Sequence, residues 1–378
     1  MLAHRSSHDK GGSNMKIICF TESLAAGGAQ RQLVNLAVLF KRRGHDVEFL
    51  VYRHEDFFLP YLSTAKVPVH YMESNTNIGR LIKCRRFINR SRVDIVLSFL
   101  ETPGFIACFS ALGFRRWKNV TTELSAKPQT FMGRRSKLFL WFQHFSDSIV
   151  CNSLNAEKMW KEHCPQYASK ISTIYNPVLL SISDDDNNVN GSCKRKIIVP
   201  ASYQFLKNPI RLIEAVNSLP LTIQRQIEIE WYGKIEPTRG NTAAYDEALA
   251  LVQKYELDQC IQLNQETMDI YERMSKADAI GLFSTVEGMP NAICEGMMFG
   301  KPIIMTKVSD YEVFAQSHGV FLCESESIDS IKEALIRFHA TSQEELKAMG
   351  RRNKELGIKL FDGDAIAAQW EELFTALR

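Results

Sequence analysis

The sequence predicts an α/β protein made of two doubly wound, Rossmann-like halves facing each other across a cleft. Three observations predict it. Short apolar runs alternate with helix-length segments along the chain, the pattern of buried parallel strands joined by helical crossovers. One polar, acidic stretch, Ser181 to Ser192, interrupts that alternation near the middle, and the alternation then restarts. The length, 378 residues, suits two domains of ordinary size.

In the first half the strand candidates are Lys16–Phe20, Val47–Val51, Val67–Tyr71, Asp94–Phe99, Asn119–Thr122, Ser148–Cys151 and Ile171–Ile174. Each is short, apolar and rich in β-branched residues. Helical patterns lie between them, among them Ala29–Arg43 and Ser153–His163. The first stops at Arg42-Arg43-Gly44, a basic pair followed by glycine. In the second half the strands are Lys196–Pro200, Ile227–Tyr232, Cys260–Leu263, Ala277–Phe283, Pro302–Met305 and Gly319–Cys323. The helices include Asn208–Ser218, Tyr245–Tyr255, Pro290–Phe299 and Ile328–His339. The expected division is a disordered leader over 1–14, an N-terminal domain over 15–178 and a linker over 179–195. A C-terminal domain over 196–355 and a last helical segment over 356–378 complete it.

Composition narrows the function. With 45% hydrophobic and 24% charged residues the chain reads as globular. No apolar run approaches the roughly 18–20 residues that span a bilayer, and the leader lacks a signal peptide's apolar core. The nine cysteines stand singly, which argues for reduced thiols in a cytoplasmic protein over a zinc cluster or disulfide framework. Net charge is only +3, yet residues 1–175 hold 25 Lys+Arg against 13 Asp+Glu, and the remainder 21 against 30. Such segregation points the first half toward an anionic partner. The densest run contains Arg80, Lys83, Arg85, Arg86, Arg90 and Arg92 beside an apolar stripe of Leu81, Ile82, Cys84, Phe87 and Ile88. An ordinary surface helix and a contact with anionic lipid head groups, extended by Arg115–Lys118 and Arg134–Lys137, explain it about equally well. Nucleic acid is disfavoured, because no recognition motif accompanies the charge.

Three clusters fall at strand-to-helix turns facing the cleft, where ligands of open α/β sheets bind. After the first strand, Gly27-Gly28 lets backbone N–H groups approach an anion at a helix N-terminus. It is not G-x-G-x-x-G, which argues against a dinucleotide site. After the first strand of the second half, Lys207-Asn208-Pro209 sets a point charge where it can neutralise a phosphate. The third runs from Glu287 through Gly288, Met289, Pro290 and Asn291 to Glu295. Pro290 suits the first helical position. Glu295 then lies roughly 7–8 Å along the axis among apolar neighbours, where a carboxylate needs a partner. Vicinal hydroxyls such as those of a ribose would satisfy it.

Glu287 and Glu295, followed by Gly300-Lys301-Pro302, resemble the E-x7-E motif of retaining glycosyltransferases of family four. Gly27-Gly28-Ala29-Gln30 resembles that family's glycine turn, and Asn152-Ser153 and Tyr175-Asn176-Pro177 its strand-end signatures. Lys207 sits where the family has its diphosphate-binding lysine, Gly233 matches a strand-end glycine, and Trp370 resembles the aromatic of a last helix that returns to the N-terminal domain. The resemblance covers about residues 15–378 and implies the GT-B fold. It implies a donor site of Gly27, Gly28, Lys207, Asn208, Gly233, Gly288, Met289, Pro290, Asn291 and Glu295, with Glu287 and Lys207 catalytic. Two positions depart from the family. Its usual arginine before the lysine is replaced by Ala201 and Ser202, so that Arg31 or Arg211 becomes the candidate second cation. Its cleft-edge histidine is also missing, and the region reads Thr121 to Ser125, with Glu123 as the polar residue and third catalytic candidate.

The function implied is transfer of a hexose or N-acetylhexosamine, with retention, from a nucleotide sugar, by family frequency a UDP sugar. The acceptor would be a glycan or lipid-linked glycan of surface polysaccharide synthesis, handled at the inner face of the plasma membrane. No cofactor and no metal are expected; Asp184-Asp185-Asp186 reads as solvated linker. A nucleotide-sugar epimerase or hydrolase of the same fold, or a non-catalytic partner subunit, are the other readings.

Overall fold

The computed structural model describes residues 14–124, 131–179, 194–238 and 240–378, with the side chain of Arg134 left undescribed. The expected leader, most of the linker with its Asp184–Asp186 run, and Ser125 therefore lie outside the described residues.

The first half runs β1 (Lys16–Phe20), α1 (Gly28–Arg42), β2 (Asp46–Val51), α2 (Leu59–Thr64), β3 (Val69–Tyr71), α3 (Asn77–Arg90), β4 (Ile95–Ser98), α4 (Glu101–Ser110), β5 (Lys118–Glu123), α5 (Arg134–Phe142), β6 (Ser148–Cys151), α6 (Leu154–His163) and β7 (Ile171–Thr173). The second runs β8 (Arg195–Pro200), α7 (Pro209–Asn217), α8 (Leu221–Gln224), β9 (Ile227–Tyr232), α9 (Ala243–Lys254), β10 (Ile261–Asn264), α10 (Ile270–Lys276), β11 (Ala279–Leu282), α11 (Asn291–Met298), β12 (Ile303–Thr306), α12 (Tyr311–Ala315), β13 (Val320–Cys323), α13 (Ile328–Ala340), α14 (Gln343–Phe361) and α15 (Gly363–Leu377). Every strand expected from the apolar runs is present, with bounds moved by a residue or two.

Both sheets are wholly parallel, ordered β3-β2-β1-β4-β5-β6-β7 and β10-β9-β8-β11-β12-β13. Chain direction across each sheet reverses at its first strand, between β1 and β4 and between β8 and β11. Those are the two switch points at which such sheets open a crevice. In the first sheet Ile17, Cys19, Val47 and Phe49 bury one face under α1 and α2. Ile18, Phe20, Leu50 and Val96 bury the other under α3 and α4, so the central strand β1 is apolar on both sides. The second sheet is covered by α7, α9 and α13 on one face and by α10 and α11 on the other.

Two expected features shift. The apolar stripe on α3 is narrower than its sequence suggests: Cys84 and Ile88 are buried, Leu81 and Phe87 half-buried, and Ile82 faces solvent. The last helical segment does not begin at 356, because α14 runs unbroken to Phe361. Asp362 ends it and caps α15, accepting from the Ala365 N–H at 2.9 Å. There the chain crosses back: Val178 donates to the Phe361 carbonyl at 3.0 Å, and Val178 and Asp362 form a parallel bridge. Helix α15 buries Ile366, Ala367, Trp370 and Phe374 in the core of the first half, with Phe374 5.6 Å from Phe40. Glu371 accepts from Arg43 at 2.7 and 2.8 Å and lies 2.9 Å from His45.

Candidate donor site between the two sheets

The three cleft clusters leave the sheets at these switch points and meet. Gly27 is the extended residue ahead of α1 (φ −145°), and Gly28 is its first helical residue. A Cβ on Gly28 would sit 3.3 Å from the Asn291 side-chain nitrogen, so the start of α1 lies against the start of α11. Asn291 Oδ1 accepts from Gln32 at 3.3 Å and from Asn176 at 3.0 Å. Two helix N-termini thus converge, and their unpaired N–H groups make that spot favourable for an anion. Pro290 stands one residue ahead of α11 rather than inside it, as the residue from which the helix starts.

Lys207 enters from the turn after β8. Thr285 N–H donates to the Leu206 carbonyl at 2.8 Å, tying that turn to the one after β11. The tie brings Lys207 Nζ to 2.5 Å from Glu287 Oε1, and Ser284 donates to the same oxygen at 2.6 Å. Ser284 was not among the expected residues, although its place three residues before Glu287 in a turn is visible in the sequence.

Glu295 is buried, and its carboxylate meets two donors that sequence spacing did not join to it. Arg31, one turn into α1, reaches Glu295 Oε1 at 3.2 Å from the opposite domain. Tyr271 of α10 donates to the same oxygen at 3.0 Å and lies 3.3 Å from Arg31. Burial pushes the Glu295 carboxyl above its ordinary value, and Arg31 and Tyr271 offset only part of that push. Arg31 therefore serves Glu295 here. The other candidate cation, Arg211, pairs with Glu326 and Asn208.

Several expected donor residues also have groups engaged within the protein. Asn208 adopts a left-handed conformation (φ 66°), its amide donating to the Ser325 carbonyl at 2.8 Å, so it shapes the Lys207 turn. The Met289 side chain is packed in the core. Gly288 offers its carbonyl to Ser309. Gly233 is glycine because a Cβ there would lie 1.8 Å from the Ala201 carbonyl oxygen.

In the first half, Glu123 ends β5. Burial, with a smaller contribution from Glu101, pushes its carboxyl up to about 8. Asp310 was not singled out in the sequence. It accepts from the Leu154 and Asn155 N–H groups at 2.7 and 2.8 Å and from Tyr175 at 2.9 Å, so a carboxylate of the second half caps α6 of the first. Among the described residues no group of three or more His, Cys, Asp or Glu is arranged to hold a metal ion.

The sequence profile described as Glycosyltransferase Family 4 matches residues 26–181, and that described as Glycosyl transferases group 1 matches residues 183–356. Between them they span both halves and every cluster of the cleft. The chain is a family-four-like glycosyltransferase. Solved structures agree on the fold. This glycosyltransferase is similar to Anabaena Alr3699/HepE, solved in complex with UDP and glucose, with 16% identity, a TM-score of 0.83, and 96% of this chain and 100% of that one covered. It is similar to sucrose-phosphate synthase from Thermosynechococcus elongatus, with 16% identity, a TM-score of 0.78, and 96% and 99% covered. It is also similar to a variant of S. aureus TarM, solved in complex with Fondaparinux, alpha-GlcNAc-glycerol and UDP, with 10% identity, a TM-score of 0.74, and 95% and 99% covered. The fold is GT-B. No curated protein sequence matches the enzyme.

Proposed function

We propose that the enzyme transfers a hexose or N-acetylhexosamine from a UDP sugar, with retention and without a metal, to a glycan or lipid-linked glycan of a surface polysaccharide. The observation that carries this is the convergence of Lys207–Glu287, the Gly28–Asn291 approach and Glu295 on the cleft between the two sheets. UDP complexes of the Anabaena and S. aureus structures support the donor class.

In this reading the ribose hydroxyls bind Glu295, and the diphosphate lies at the two helix N-termini beside Lys207. The sugar C1–phosphate oxygen bond breaks while the acceptor oxygen bonds to C1 on the same face. The departing phosphate oxygen takes the acceptor's proton. Lys207 and the amides of α11 neutralise the charge that develops on that oxygen. Glu287 fixes the ammonium of Lys207 and faces the sugar, while Glu123 meets the acceptor side. A lipid-linked acceptor would hold the enzyme at an anionic membrane surface on the cytoplasmic side.

A panel of nucleotide sugars scored by thermal shift tests the donor class, because a ligand bound only to the folded state stabilises it by mass action. Stabilisation by UDP sugars and release of UDP only when an acceptor is present are expected. Conversion of the donor without acceptor would replace transfer by epimerisation or hydrolysis.

A further inference from the structure

The basic residues first expected to meet lipid are largely committed within the protein. Arg85 donates to the Phe109 and Leu112 carbonyls at 2.5 and 2.8 Å, closing the end of α4. Arg80 lies over the Tyr52 ring at 4.5 Å, and Lys83 donates to the Glu73 carbonyl at 2.6 Å.

Helix α5 is different. No described side chain of α5 is fully buried. It rides on α4 through Phe139, stacked on Phe105 at 4.5 Å, and Phe142, edge-on to Phe105 at 4.7 Å. The side turned away carries Leu138 and Trp141, 50% and 58% exposed, with Met132, 65% exposed, just before the helix. Leu138 and Trp141 are three residues apart and so share one helical face. Arg135, its guanidinium carbon 5.1 Å from the centre of the Phe139 ring, and Lys137 flank them and are both exposed. From Thr102 to Ser146 the sequence holds seven Lys or Arg and a single acid, Glu123. An exposed aliphatic–tryptophan face, rimmed by cations in an acid-poor stretch, suits an anionic interface, with the indole at head-group level.

We infer that α5 is the membrane-docking element, inserting Met132, Leu138 and Trp141 into an anionic lipid surface with Arg135 and Lys137 at the phosphates. The inference rests on the membrane part of the proposed function and is independent of the donor site. Helix α5 is the next helix in the chain after β5.

The molecule carries its own reporter. Trp117, Trp160, Trp231 and Trp370 are each no more than 5% exposed, which leaves Trp141 as the one exposed indole of five. The full chain is titrated with vesicles of phosphatidylcholine, with and without phosphatidylglycerol, and followed by tryptophan emission and co-sedimentation. Expected are a blue shift only with the anionic vesicles, its loss in Trp141→Phe, and retained sedimentation in that conservative variant. Leu138→Ser combined with Trp141→Ser should abolish sedimentation. Lys137→Ala should lower partitioning about fivefold and Lys83→Ala by less. Sedimentation without a blue shift, equal effects at Lys83 and Lys137, or no vesicle binding would each overturn the assignment. Transfer to a soluble acceptor, measured on the same preparations, separates that outcome from failure of the donor-site reading.

Discussion

Glu295 and Glu123 belong to opposite halves of the molecule, and burial drives both carboxyls upward. Their surroundings then diverge. Glu295 receives Arg31 and Tyr271 on one oxygen, and Arg31 comes from the other domain. Glu123 has a second carboxylate, Glu101, as its charged influence, and is pushed up to about 8. A buried carboxylate with a cation across the cleft favours its anionic form and suits ligand hydroxyls. One beside a like charge keeps its proton near neutrality and can donate a hydrogen bond. In the proposed reading the two carboxyls would do different work: nucleotide recognition at Glu295 and acceptor-side polar contacts at Glu123.

The largest expected effect tests the donor wall. Lys207→Ala leaves Glu287 without its cation and should lower kcat by roughly 100- to 1,000-fold, read from initial rates of UDP release. Glu295→Ala comes next. Loss of hydrogen bonds to a charged group should raise the donor KM by roughly 10- to 100-fold with a smaller change in kcat. Equal losses in kcat from both variants would erase the proposed division between phosphate and ribose contacts.

Arg31→Ala sharpens the contrast, because it makes Glu295 more like Glu123. Arg31 lowers the Glu295 pKa, so its removal should move the acid limb of nucleotide affinity to higher pH, as followed by titrations between pH 5 and 8. An unmoved limb would show that Arg31 does not tune the carboxylate.

The smallest effect concerns Glu123. Its folded pKa of about 8 lies above its ordinary value of 4.5, so the folded state holds this proton more tightly. The stability this confers is complete below about pH 4.5 and is lost as pH rises toward 8. Glu123→Gln cannot ionise and should flatten that loss, gaining ~1–2 kcal/mol over wild type by pH 8 after allowance for partial solvent access. Thermal melts across pH 5 to 8 check it; parallel curves would place Glu123 in an ordinary environment.

The strands and switch-point turns were legible because a parallel strand covered on both faces must be an uninterrupted apolar run, as in Ile17–Phe20 and Ile303–Met305. Glycine at 28 was legible because a strand-to-helix turn restricts residue choice, and lysine at 207 because a cation at a helix start is unusual without an anionic partner. The partners were not. Arg31 and Glu295 are 264 residues apart, and Asp310 caps a helix 156 residues away, contacts that no local spacing encodes. The side-chain partners of Asn208 and the core packing of Met289 were not legible either, because a motif names positions whereas backbone geometry decides where each side chain points. Helix α14 concealed the true crossing at Asp362, because its pattern runs on past 355 without a break.

In the proposed site Glu295 binds the ribose and Lys207 the diphosphate of one donor. Calorimetric titration of uridine and of UDP into the wild-type enzyme, Glu295→Ala and Lys207→Ala tests it most directly. Glu295→Ala should weaken uridine and UDP by the same factor, roughly tenfold or more, whereas Lys207→Ala should weaken UDP alone. Wild-type affinity for both ligands in both variants would contradict it.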